Sequence, residues 1–207
     1  NGKLVVGNEE TILENFSKDT RTIEKDDVYI GIKGDNFDGN EFYQQAFDKG
    51  AKACILQKIK INNDIKNKYK DKAIIIVDDT IEALQKIAKF KRDLYNIPVV
   101  AVTGSVGKTS TKDIIASVVG MKYNVLKTQG NLNNHIGLPL TILKLKNHEA
   151  LIVEMGMNNL GEISILSKIA QPNIAVITNV GTSHIGNLGS RENILKAKLE
   201  ILDGMKD

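Results

Sequence analysis

Apolar and polar positions follow two rhythms along this chain: short apolar runs, and longer stretches with helical spacing. Asp27-Val28-Tyr29-Ile30-Gly31-Ile32 predicts a short strand. Residues 41–49 predict a helix, with Phe42, Ala46 and Phe47 on one side and Gly50 as its stop. Strands are expected at 52–57 and 73–77, with the charged run 62–72 between them as a solvated helix or loop. Asp79-Thr80 then opens a helix whose apolar face carries Ile81, Leu84, Ile87 and Ala88. A domain junction falls near residue 79, giving a first α/β domain over 1–78 and a second over 79–207.

The second part alternates more regularly. Strands are expected at 99–103, 123–126, 150–154 and 174–178, and helices at 109–119, 161–170 and 191–202. This alternation predicts an α/β domain built on a parallel, doubly wound sheet. Ligands of such sheets bind at the carboxyl ends of the strands. Thr103, Glu154 and Thr178 all sit at strand ends, so three ends point at one crevice.

One loop gives the crevice a chemistry. Thr103-Gly104-Ser105-Val106-Gly107-Lys108-Thr109-Ser110 lies between the run 98–102 and the helix that follows. Strand, glycine loop, Gly-Lys-Thr and helix make a phosphate-binding loop. The backbone N–H groups of Gly104 to Ser110 and the helix N-terminus would face the phosphates of a nucleotide. Lys108 would neutralise the outer phosphates, and the Thr109 hydroxyl would hold Mg2+. The usual pattern has a glycine five positions before the Gly-Lys pair. Val102 stands there instead, so the loop is a compact variant.

Other residues gather around it. Glu154, at the tip of an apolar strand, is a candidate Mg2+ ligand, direct or through water. His184 follows the next strand end among glycines and hydroxyls, and reads as a metal or phosphate contact or as a structural histidine. His148 sits in a polar turn and reads as solvated. Arg191 and Lys198 are seven apart on one helix and share a face. Lys198 is either directed to the crevice or an ordinary solvated lysine. Asn131, Asn133 and Asn134 lie just after a strand, and serve equally well as a turn or as a polar lining for a ligand.

Composition excludes several classes. The chain has 207 residues, 42% hydrophobic and 26% charged, as expected of a globular protein. Its net charge of +3 is too small to argue for nucleic acid or an anionic membrane. No apolar run is long enough for a membrane span, and no signal peptide is visible. Cys54, the single cysteine, lies in an apolar stretch and reads as a core residue in a reducing cytoplasm. The chain starts at Asn1 and stops after a helical pattern without a closing strand, which reads as a piece of a longer protein.

Taken in order, these motifs resemble those of the Mur ligase family, and within it the type that adds D-alanyl-D-alanine. The resemblance rests on Thr-Gly-Ser-Val-Gly-Lys-Thr at 103–109, Gly-Asn-Leu-Asn-Asn-His-Ile-Gly-Leu-Pro-Leu-Thr at 130–141 and Glu-Met-Gly-Met-Asn at 154–158. It also includes Gly-Glu-Ile at 161–163, Thr-Asn-Val-Gly-Thr-Ser-His at 178–184 and Ala-Lys-Leu-Glu-Ile at 197–201. In the first domain, Asp19-Thr20-Arg21 and Asp38-Gly39-Asn40 resemble the family's Asp-Ser-Arg and Asp-Gly-His signatures. The asparagine-rich segment at 130–141 favours this type over the alternatives, the diaminopimelate- or lysine-adding ligases and the folylpolyglutamate synthases. The other alternative, a non-ligase P-loop nucleotide switch, needs no UDP-sugar domain, and residues 1–78 resemble one.

The resemblance implies an ATP- and Mg2+-dependent amide ligase of peptidoglycan precursor synthesis, cytoplasmic and monomeric. Its partners would be UDP-N-acetylmuramoyl-tripeptide and D-alanyl-D-alanine, joined through an acyl phosphate. Asp19, Thr20 and Arg21 would lie near the UDP group. Asn133, Asn134, Asn158 and Arg191 would line the substrate crevice. Thr109, Glu154, His184 and Lys198 would hold Mg2+ at two sites, with Lys108, Lys198 and His184 as the catalytic set. Lys198 matches a lysine that is carbamylated in several family members. An ammonium about 4 Å from a divalent ion is repelled by roughly 8 kcal/mol at an effective dielectric near 20, whereas a carbamate becomes a ligand. Family members are about twice this length, so the central domain would be incomplete and the chain inactive as a ligase by itself.

Overall fold

The computed structural model describes residues 2–206, which divide into two compact units, one up to Leu84 and one from Gln85. The division falls inside the helix that opens at Thr80.

The first unit carries β1 (Gly2–Val6), β2 (Phe16–Ser17), β3 (Val28–Ile30), α1 (Tyr43–Asp48), β4 (Ala53–Gln57), α2 (Asn63–Lys68), β5 (Ala73–Val77) and the start of α3 (Thr80–Asp93). The strands order as β1-β5-β4-β3-β2, parallel except for the antiparallel edge strand β1. Its core packs Tyr29, Cys54, Leu56 and Ile74 of the sheet against Tyr43, Ala46 and Phe47 of α1 and against Tyr69. Tyr43, Phe47 and Tyr69 form an aromatic cluster with edge-on and tilted contacts. Cys54 is fully buried there, and burial pushes its thiol far up, as a core residue requires. Phe42 is a correction: it is 40% exposed against Phe37, and Tyr43 takes the buried position. A 3-10 turn over Gly39–Phe42 precedes α1 and rotates Phe42 off the core face. Asp79 caps α3 by accepting from the N–H groups of Ile81 and Glu82.

The second unit carries β6 (Val99–Thr103), α4 (Lys108–Val119), β7 (Val125–Lys127), α5 (Gly137–Ile142), β8 (Ala150–Glu154), α6 (Glu162–Ala170), β9 (Ile174–Ile177), α7 (Ile185–Leu188) and α8 (Arg191–Leu199). All four strands are parallel, in the order β7-β8-β6-β9. From β6 the chain crosses past β8 to β7, then turns back through β8 to β9. With right-handed crossovers, this reversal puts helices on both faces of the sheet. The reversal also places the carboxyl ends of β6, β8 and β9 side by side, where a ligand crevice is expected.

Two local expectations shift. β7 begins at Val125, not Tyr123, because the turn after α4 continues through Tyr123, whose N–H donates to Val119 O. The asparagine segment leads into α5, a helix buried at every position. Asn134 holds the turn that enters it, its Oδ1 accepting from the N–H groups of Ile136 and Gly137. No helix among the described residues is long and apolar enough to cross a membrane.

Candidate functional site

The loop after β6 is the floor of the site. Gly104 has φ 150°, and a Cβ there would collide with Thr178 Oγ1. Gly107 has φ 81° and is the N-cap of α4 without a side-chain cap, so the first-turn amides are left for a ligand. Lys108 lies over the loop, with Nζ donating to Gly104 O at 2.9 Å. Ser105, Val106 and Ser110 complete the loop and the first turn of α4, with Val106 62% exposed.

The carboxylate at the end of β8 is held on both oxygens. Thr109 Oγ1 donates to Glu154 Oε2 at 2.8 Å, and Asn133 Nδ2 donates to Oε1 at 2.7 Å. Glu154 N–H donates to Thr128 Oγ1 at 3.0 Å, and the Thr128 carbonyl accepts from buried Lys112 at 2.9 Å. On the next strand, Thr103 Oγ1 donates to Met155 O at 2.8 Å. Glu154 is therefore a buried, oriented acceptor rather than a surface carboxylate.

Between these groups lies a cavity of about 260 Å3 lined by Lys108, Asn133, Asn134, Asn158, His184 and Lys198, among others. His184 stands at φ 64°, where it starts α7. Lys198 is 1% exposed, which excludes the solvated-lysine alternative. Burial, with a smaller repulsion from Lys108, pulls its ammonium down to about 8. Arg191 is a correction. It is exposed, its guanidinium donates to Val180 O, and it lies outside the cavity lining. Shared helical spacing aligned the two residues, but the long side chain swings away. His148 is half-buried, its Nδ1 accepting from Lys146 N–H.

Asp19, Thr20 and Arg21 stand in the first unit on a single turn of 3-10 helix. Asp19 caps that turn and takes a two-pronged pair from Arg21, Nε to Oδ1 at 2.9 Å and a second nitrogen to Oδ2 at 2.6 Å. Those bonds hold its carboxyl down at about 2. Thr20 Oγ1 donates to Gln45 at 2.9 Å. Asn40, where the family signature has histidine, donates to Asp38 and accepts from Gln57 N–H, tying its loop to β4.

Sequence reasoning placed Thr178 at the crevice without its bond to the loop, and missed Asn179 as a loop contact and Lys112 and Thr128 as supports of Glu154. Asn179 carried one signal: it is a polar residue just beyond the apolar run of β9. A hydroxyl and a carboxylate are hard oxygen donors suited to Mg2+. Among the described residues no three His, Cys, Asp or Glu side chains gather to hold a metal. The donor set thus fits an ion that brings phosphate oxygens with it, not one in a closed protein cage.

The Mur ligase middle domain matches residues 102–207, just over half of the chain. The chain belongs to the Mur ligase family. A second family domain, the Mur ligase catalytic domain, matches residues 14–92. The UDP-N-acetylmuramoyl-tripeptide–D-alanyl-D-alanine ligase of Bacillus subtilis is 47% identical over 200 residues, covering 96% of this chain and 43% of that protein. The Escherichia coli ligase of the same name is 34% identical, with 94% and 42% covered. Among solved structures, MurF from Acinetobacter baumannii superposes with a TM-score of 0.86 at 35% identity, over 95% of this chain and 42% of that one. MurF from Thermotoga maritima in complex with ADP gives 0.83 at 38% identity, over 93% and 44%. This Mur ligase chain spans less than half the length of the curated relatives it matches.

Proposed function

We propose that this chain provides the nucleotide-handling centre of an ATP-dependent amide ligase joining D-alanyl-D-alanine to UDP-N-acetylmuramoyl-tripeptide. The observation that carries the reading is the Thr109–Glu154–Asn133 chain of hydrogen bonds beside Lys108, set in a sequence 47% identical to a ligase of that name. The structural relative from Thermotoga maritima, in complex with ADP, supports nucleotide as the ligand.

A carboxylate is a poor acylating agent at neutral pH, and passing through an acyl phosphate removes that obstacle. Lys108 and the first-turn amides of α4 would orient the phosphates and neutralise their charge. Thr109, Glu154 and His184, with Lys198 carbamylated, would hold Mg2+ at two sites, where the ion supplies further charge neutralisation. A lysine pulled down to about 8 keeps a larger neutral fraction near pH 7 than an ordinary one, and only the neutral amine adds carbon dioxide. Asn133, Asn134 and Asn158 would present uncharged donors and acceptors to the peptide, and Asp19, Thr20 and Arg21 would meet the UDP group. Residues up to about 78 form the UDP-sugar domain in this reading, and those from 79 the ATP-binding domain.

The test is phosphate release by the complete gene product given ATP, Mg2+, UDP-N-acetylmuramoyl-tripeptide and D-alanyl-D-alanine. Release that requires all four supports the reading. Release with diaminopimelate or lysine in place of the dipeptide, or none at all, overturns it.

A further inference from the structure

The phosphate loop is shaped from outside as well as by its own glycines. Val102, where the usual pattern has its first glycine, is fully buried in β6 and gives the loop no freedom at that point. The segment after β9 reaches across instead. Asn179 Oδ1 accepts from both Ser105 N–H and Val106 N–H, each at 3.1 Å. Asn179 O accepts a further bond from Ser105 N–H at 3.2 Å. Thr178 Oγ1 donates to Val106 O at 2.6 Å, and Gly181 N–H donates to Ser105 Oγ at 2.9 Å.

Two successive amides converging on one oxygen form a concavity of the kind that binds anions. Here a neutral carboxamide fills it, supplied by an exposed residue that packs into no core. We infer that Asn179 is a positioning residue of the phosphate site. Its side chain braces Ser105 and Val106, does the work of the missing glycine turn, and leaves the amides from Gly107 onward to the phosphates. This inference rests on the nucleotide reading above. It adds to that reading a residue just beyond a neighbouring strand that sets nucleotide affinity without needing to touch the nucleotide.

The opposite role has the opposite sign. If the carboxamide merely occupied the phosphate's place, removing it would tighten nucleotide binding. If it braces the loop, removing it frees two amides, lets the loop relax, and weakens binding.

The experiment is calorimetry of Mg-ADP binding to the complete gene product as wild type, N179A and N179D, with KM for ATP and kcat measured alongside. For N179A a rise of about tenfold in Kd and KM is expected, with kcat at saturating ATP near wild type, as for the loss of two ordinary hydrogen bonds. UDP-peptide affinity stays close to wild type. N179D keeps an acceptor for both amides but sets a negative charge beside the phosphates. Its deficit shrinks as salt is raised, while that of N179A does not. Should N179A fold poorly, this salt dependence in N179D decides. Equal or tighter Mg-ADP binding by N179A, or a salt-independent N179D, overturns the inference. Failure of the wild type to bind Mg-ADP overturns the nucleotide reading, and this inference with it.

Discussion

Thr109 and Glu154, 45 positions apart in sequence, are joined by a hydrogen bond of 2.8 Å between hydroxyl and carboxylate. The first turn of α4 and the tip of β8 are therefore one unit before any ligand arrives. The bond fixes which carboxylate oxygen faces the loop, and Asn133 fixes the other. Preorganised charge of this kind needs no rearrangement at the moment of reaction.

Lys108 is the cation beside this unit. Its Nζ donates to a loop carbonyl, Gly104 O, a bond that an arriving phosphate can replace at little cost. Lys108→Ala in the complete gene product is expected to lower turnover by at least about 100-fold, the order found when a preorganised charge-stabilising donor is removed. A phosphate-release assay at saturating ATP checks this; near-normal turnover rules Lys108 out as essential.

Thr128 tests the support of Glu154 apart from its chemistry. Its hydroxyl accepts the Glu154 N–H in a fully buried position. Thr128→Val keeps the shape and removes the acceptor, so a buried N–H is stranded. A loss of about 1–3 kcal/mol in urea unfolding is expected, together with reduced activity from a displaced carboxylate. Unchanged stability would mean that the N–H finds another partner.

Gly104 tests the loop itself. Alanine there meets Thr178 Oγ1 and must also hold φ 150°, which side chains other than hydrogen rarely adopt. Gly104→Ala is expected to abolish measurable Mg-ADP binding while the first unit keeps its fold. Hydrogen exchange in β3–β5 and calorimetry on the same sample separate the two effects.

Much of this site was legible because its signals are local. The loop, the strand-end Glu154 and the alternation of strands and helices each show in a few neighbouring residues. What stayed hidden depends on packing across the sheet. Nothing near Lys198 says whether its helix turns that face inward, since lysine is usually solvated. Arg191 shares its spacing, yet its longer side chain reaches the Val180 carbonyl instead of the cavity. Asn179 and Thr128 act on residues 73 and 26 positions away, contacts that no window of sequence contains. β1 was missed because its outer half is exposed and carries no clean alternation.

Lys198 joins stability to function. Its ammonium is almost fully buried, and is depressed from 10.5 to about 8 chiefly by desolvation. One pKa unit corresponds to about 1.4 kcal/mol, so the charged form is disfavoured in the folded state by on the order of 3 kcal/mol. Methionine has a similar reach and no charge. Lys198→Met is therefore expected to raise the Tm of this chain at pH 7 and to abolish ligase activity in the complete gene product. The pH dependence has a definite sign. Between about pH 8 and 10.5 the unfolded chain holds a proton at Lys198 that the folded chain has released, so wild-type stability rises with pH across that window. The Lys198→Met advantage is largest below pH 8 and fades as pH approaches 10.5. Thermal melts of both proteins from pH 7 to 10 measure it; a constant difference across the series would show that Lys198 carries no desolvation cost.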